Sequence, residues 1–103
     1  MITTEYLADG TLLIHTNGKI DKTLAKELAL LVFRSFRLGM HTFLLNVRRT
    51  THIDQEGLSG VGLIEQGVRN KGGAWRMIGS RSSIWDQLVF RITLQHLSPE
   101  IWN

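Results

Sequence analysis

Residues 42–58, Thr42-Phe43-Leu44-Leu45-Asn46-Val47 running directly into Arg48-Arg49-Thr50-Thr51-His52-Ile53-Asp54-Gln55-Glu56-Gly57-Leu58, decide how this chain is read. The first six residues are almost wholly apolar, as in a strand covered on both faces. Beyond residue 57 the apolar positions change period. Leu58, Val61, Ile64 and Val68 recur at helical spacing. The polar stretch between them holds two arginines, two threonines, a histidine and two acids, and it is the entry to a helix. Asp54 suits the cap, and Glu56 suits the first turn, where free amides and the helix dipole favour negative charge.

The same alternation of strand and helix extends in both directions. Upstream, Ile2–Leu7 reads as an edge strand, Ala8-Asp9-Gly10 as a hairpin turn, and Thr11–Thr16 as a second strand that Asn17-Gly18 breaks. Asp21 caps a first helix from about Lys22 to Leu38. Leu24, Leu28, Leu31 and Val32 form its apolar face, widened by Leu30 and Phe33. Arg34 and Arg37 suit the negative end of that helix, and Gly39 suits its left-handed cap. Downstream, Asn70-Lys71-Gly72-Gly73 stops the second helix, and Ala74–Ile78 is a strand closed by Gly79. Ser83-Ile84-Trp85-Asp86 matches the capping box of a third helix reaching about Leu94. Ser98–Trp102 forms a last turn, with Pro99 at its first position.

The order β-β-α-β-α-β-α through short connections implies an α/β fold. Its sheet is mostly parallel with right-handed crossovers, and the opening hairpin adds an antiparallel edge. A chain of 103 residues fits one domain, 1–103, and the 43% apolar share supplies a core. Cysteine is absent, which excludes disulfides and thiolate metal sites and fits a reducing compartment. The N-terminus has neither the basic nor the apolar region of a signal peptide, and no apolar run approaches the ~18 residues of a membrane span. The expectation is a cytoplasmic protein with no direct membrane insertion. The net charge of +3 is mild, and the basic residues are scattered in pairs rather than set in a stripe with aromatics. No nucleic-acid partner is expected.

Chemistry-bearing patterns are few. His52, Asp54 and Glu56 alternate, which on a strand would place three ligand types on one face. The switch from strand to helix near Asp54 breaks that period, so no metal site is expected. His15, His41, His52 and His96 sit in separate segments, no nucleophile elbow or phosphate loop is present, and neither catalysis nor a cofactor is expected. Glycines at 57, 60, 62 and 67 interrupt the second helix at up to ~1 kcal/mol each relative to alanine. They allow close approach of a neighbour, inside the domain or outside it. Trp75, Trp85 and Trp102 read as packing residues.

Gly18-Lys19-Ile20-Asp21 before a helix, Phe43-Leu44-Leu45-Asn46-Val47, Ile53-Asp54-Gln55-Glu56-Gly57-Leu58, and Lys71-Gly72-Gly73 before a strand ending in Gly79 together resemble the STAS domain. The resemblance runs from about Thr11 to Trp102. It is to the bacterial anti-sigma-factor antagonists, which implies a mixed, mostly parallel sheet of four to five strands with three to four helices. In that family an Asp-Ser-Ser/Thr-Gly stretch opens the second helix. The serine after the aspartate is phosphorylated by a partner that is both kinase and anti-sigma factor, and the phosphate breaks their complex. By resemblance Asp54 matches the motif aspartate, Gly57 the glycine, and Asp21 an acid near the same site. Gln55 replaces the phosphorylated serine and Glu56 the second hydroxyl residue. Glutamine cannot accept phosphate, so the usual switch is absent at position 55. Thr50, Thr51 and Ser59 are the nearest alternative acceptors. Glu56 either places permanent charge where the family places conditional charge, or is an ordinary first-turn stabiliser.

The resemblance therefore implies a non-enzymatic regulatory module. It would bind a kinase-like anti-sigma factor or another STAS protein through Asp21, Asp54, Gln55, Glu56, Gly57 and Leu58. Homodimerisation stays open. The alternatives are an accessory subunit of a lipid-transport ATPase and a small-molecule binder on the same fold.

Overall fold

A computed structural model describes residues 1–79 of the chain. Within them the order is β1 (Ile2–Tyr6), β2 (Thr11–Ile20), α1 (Lys22–Arg37), β3 (Thr42–Ile53), α2 (Gln55–Asn70) and β4 (Ala74–Ile78). The third helix expected from Ser83, the last turn at Ser98–Trp102, and the residues Trp85 and Trp102 lie outside the described residues. The four strands form one sheet in the order β1-β2-β3-β4. β1 is antiparallel to β2, while β2–β3 and β3–β4 are parallel, as the alternating pattern requires.

The two helices are built alike. Each has 16 residues and an extended aspartate cap, Asp21 or Asp54. Each ends in a paired-bond glycine cap. Gly39 (φ 98°) donates to the Phe36 carbonyl while Met40 donates to Ser35. Gly72 (φ 84°) donates to Arg69 while Gly73 donates to Val68. These bonds satisfy carbonyls that a helix end otherwise leaves free, and the positive φ at each turn is why glycine stands there.

One core lies between the helices and a single face of the sheet. Leu12 and Ile14 of β2, Phe43, Leu45 and Val47 of β3, and Trp75 of β4 meet Leu24, Leu28 and Val32 of α1 and Leu58, Val61, Ile64 and Val68 of α2. Phe36 stacks on Phe43 with ring centroids 5.7 Å apart. Burying a leucine such as Leu28 stabilises the fold by about 1.5–3 kcal/mol. Leu44 and Asn46, on the other face of β3, are half-buried rather than fully covered.

Two expectations change. Leu30 does not widen the apolar face of α1. It is 65% exposed, and only Phe33 of that pair packs against the core. Asn17-Gly18 also does not end β2, and β3 does not end at Val47. Both strands continue, to Ile20 and Ile53, because they pair with each other: Asn17 with Arg49, Gly18 with Thr50, Lys19 with His52, and Ile20 with Ile53. Gly18 holds a left-handed φ of 91° inside the strand, which a side chain would resist. The ladder shifts register at His15/Asn17 and again at Gly18/Lys19, and β3 supplies the extra residue each time. The hydroxyl of Thr50 donates to the Thr16 carbonyl at 3.4 Å and lies 2.7 Å from the Thr16 hydroxyl, which closes the ladder over the first shift.

Candidate functional site

Because Ile20 pairs with Ile53, β2 and β3 end side by side, and α1 and α2 start from the same edge of the sheet. Each helix start carries a partial positive charge of about half an electron from its aligned peptides. The two aspartates answer that charge in the same way. Asp21 accepts from the Leu24 amide at 2.9 Å, and Asp54 accepts from the Gly57 amide at 2.7 Å. The second oxygen of Asp54 lies 3.6 Å from the Lys19 ammonium, a pair of half-exposed groups. The Asp54 amide donates back to the Ile20 carbonyl at 3.3 Å and locks the two junctions together.

The structure gathers the six residues at one edge, with Asp21, Asp54, Gln55 and Glu56 reaching solvent and Gly57 and Leu58 turned inward. Gln55 and Glu56 are exposed in the first turn of α2. Gly57 and Leu58 are buried against the chain itself. A Cβ on Gly57 would overlap the backbone carbonyl of Ile20. The glycine at this position is thus needed for α2 to press against the β2–α1 junction, and Leu58 anchors the turn in the core. Gly60 faces Ala25 of α1, where an added Cβ would sit 2.6 Å from that methyl group, and Gly67 faces Phe33. Three of the four helix glycines therefore serve packing inside the domain. Gly62 has none of the described residues within 4 Å of the place a Cβ would take.

Of the alternative phosphate acceptors, Thr50 has its hydroxyl engaged by Thr16, Ser59 is half-buried inside α2, and Thr51 is exposed on β3. His52 is exposed at the end of the strand, Asp54 spends its oxygens on the Gly57 amide and Lys19, and Glu56 lies on the helix. Among the described residues no three histidines or acids converge on a metal-sized site.

Two neighbours of this edge are not read from the sequence. One is the Lys19–Asp54 pair, which needs the strand extension to form. The other is a shallow, mostly apolar groove of about 220 Å³ between α1 and α2 that begins at Glu56. Lys22 and Lys26 rim it, Ala25, Ala29 and Gly60 line it, and Leu63, 68% exposed, stands at its side. Small residues at helical spacing on both helices were the available signal, but one helix read alone does not show which face meets the other.

No family model matches the sequence, and no curated protein matches it in sequence. Solved structures do match in shape. The anti-sigma factor antagonist SpoIIAA in its unphosphorylated form has a TM-score of 0.71 at 15% identity, over 87% of this chain and 83% of that one. The Bacillus cell fate determinant SpoIIAA in its phosphorylated form has a TM-score of 0.68 at 19% identity, over 90% and 83%. An antisigma-factor antagonist STAS domain from Rhodobacter sphaeroides has a TM-score of 0.63 at 18% identity, over 77% and 85%. The chain has the STAS fold, the fold of these anti-sigma-factor antagonists.

Proposed function

We propose that this chain is a non-enzymatic regulatory module, a single STAS domain over residues 1–103, that binds a kinase-like anti-sigma factor or another STAS protein in the cytoplasm. The observation that carries this reading is the exposed pair Gln55-Glu56 on the first turn of α2, beside the capped start of α1 and at the mouth of the α1–α2 groove. The groove offers an apolar strip with a charged rim, the composition of a protein contact. Gln55 has no hydroxyl, so binding here runs without a phosphate on that residue. Glu56 acts as a first-turn stabiliser worth about 0.3–1 kcal/mol. None of the described helices is long and apolar enough to cross a membrane.

The test is capture of partners from the native host by the intact chain and by a Gln55→Arg/Glu56→Arg variant, with detergent-solubilised membranes included. A soluble kinase-like or STAS protein retained by the parent and lost by the variant is expected. A membrane transport ATPase in its place would give the accessory-subunit role. Equal capture by parent and variant would remove this edge from the interface. With the partner in hand, Gln55→Ser/Glu56→Ser separates the two roles of Glu56. Tighter binding of the unphosphorylated variant would mean that the native acid mimics phosphate, and unchanged affinity means that it does not.

A further inference from the structure

A second cavity lies away from the α2 entry, over the outer side of the β1-β2-β3 ladder, with a volume of about 450 Å³. Strand alternation puts Leu12, Ile14, Phe43 and Leu45 on the helix side, and therefore Thr3, Glu5, His15 and Asn46 on the opposite side. Two further lining residues, Arg48 and Arg49, are consecutive, and on a regular strand they would point to opposite faces. They line one cavity because the ladder slips between them and β2. His15 pairs with Asn46, but Asn17 pairs with Arg49, so β3 carries one residue too many at this point. Such a bulge re-aims side chains, and bulges concentrate beside functional sites. The bulge is held in shape. The Arg48 amide donates to the Asn46 side-chain oxygen at 3.0 Å, which leaves the Asn46 amide nitrogen as a donor.

The electrostatics of the cleft are uneven. Lys19 pairs with Asp54 and Arg69 with Glu65, whereas no described carboxylate pairs with Arg48 or Arg49. Among the described lining residues the one acid, Glu5, is turned to His15 at 3.5 Å. Two unpaired guanidinium forks and an amide donor at one end, with a carboxylate, an imidazole and a threonine at the other, make a bipolar site. The arginine end matches an oxyanion, which guanidinium binds in bidentate fashion. The Glu5 end accepts from hydroxyl groups and disfavours a bare, highly charged anion. The volume suits a small metabolite.

We propose that this cleft binds a small hydroxylated oxyanion, a phosphate ester or a hydroxycarboxylate, through Arg48 and Arg49. The described lining shares no residue with the α2 entry.

The test is a backbone and arginine-side-chain NMR titration of the full chain at constant ionic strength. The probes are glycerol 2-phosphate and malate, with sodium chloride as the control. Saturable shifts confined to residues 3–5, 15, 46, 48 and 49 are expected from at least one probe, and the probe that saturates identifies the anion class. Arg48→Gln/Arg49→Gln, which alters two exposed side chains, is expected to weaken that binding at least tenfold while shifts elsewhere stay those of the parent. Linear, unsaturated shifts that sodium chloride reproduces would overturn the proposal, as would a double variant that titrates like the parent.

Discussion

Helices α1 and α2 are close to copies of each other in outline. They share length, an aspartate at the start, a left-handed glycine at the end, and a starting line at the edge of the sheet. They differ in the residue that their caps hold. The Asp21 cap holds the amide of Leu24, whose side chain enters the core. The Asp54 cap holds the amide of Gly57, which has no side chain because the Ile20 carbonyl occupies that space. The same capping device thus does two jobs. In α1 it points a hydrophobic anchor inward. In α2 it seats the backbone itself against the preceding junction and leaves Gln55 and Glu56 facing out. Position within the sheet, and not the helix sequence alone, sets which job is done.

The sharpest way to break this pairing is Gly57→Ala. Alanine favours the helix by up to about 1 kcal/mol, but its methyl group meets a backbone carbonyl that has no rotamer to escape into. A net loss of about 2 kcal/mol is expected in urea denaturation. Unchanged stability would mean that the α2 junction is looser than described. Next in size, Asp21→Ala and Asp54→Ala each remove one cap and are expected to cost about 1 kcal/mol. The Lys19 contact adds little to Asp54, because exposed ion pairs contribute about 0–1 kcal/mol. Equal losses in the two variants would support equivalent caps, and a much larger loss at Asp54 would show that its link to β2 matters more. The smallest effect has the opposite sign. Gly62→Ala, which meets none of the described residues, is expected to raise the thermal midpoint, with a gain of up to about 1 kcal/mol. A loss there would show that the outer face of α2 is covered.

Much of this arrangement was legible because it is local. The aspartate caps, the glycine stops, the helical apolar spacing and the mixed parallel order all follow from residues within a turn or two of one another. The unread parts are those set by distant partners. Asn17-Gly18 looks like a break, and Arg48–His52 has no apolar alternation. These segments become strand only by pairing with each other across some thirty residues of chain. Leu30 fits the apolar period of α1, yet the sheet and α2 cover only part of that face. At the α2 entry the positions were readable, while the division into exposed Gln55-Glu56 and buried Gly57-Leu58 needed the Ile20 carbonyl to be in place. The Arg48–Arg49 cleft left no trace in the sequence, since it depends on a register slip.

That slip has a mechanical side. Between two rungs of the ladder, His15–Asn46 and Ile20–Ile53, β2 advances five residues while β3 advances seven. At about 3.3 Å per residue this is some 6–7 Å more contour in β3 than in its neighbour. Two paths that share end points but differ in length run as the inner and outer lanes of a curve. The spare length lies immediately upstream of α2 and is pinned by the Arg48–Asn46 and Thr50–Thr16 bonds, so the start of that helix hangs from the outer lane of the bend.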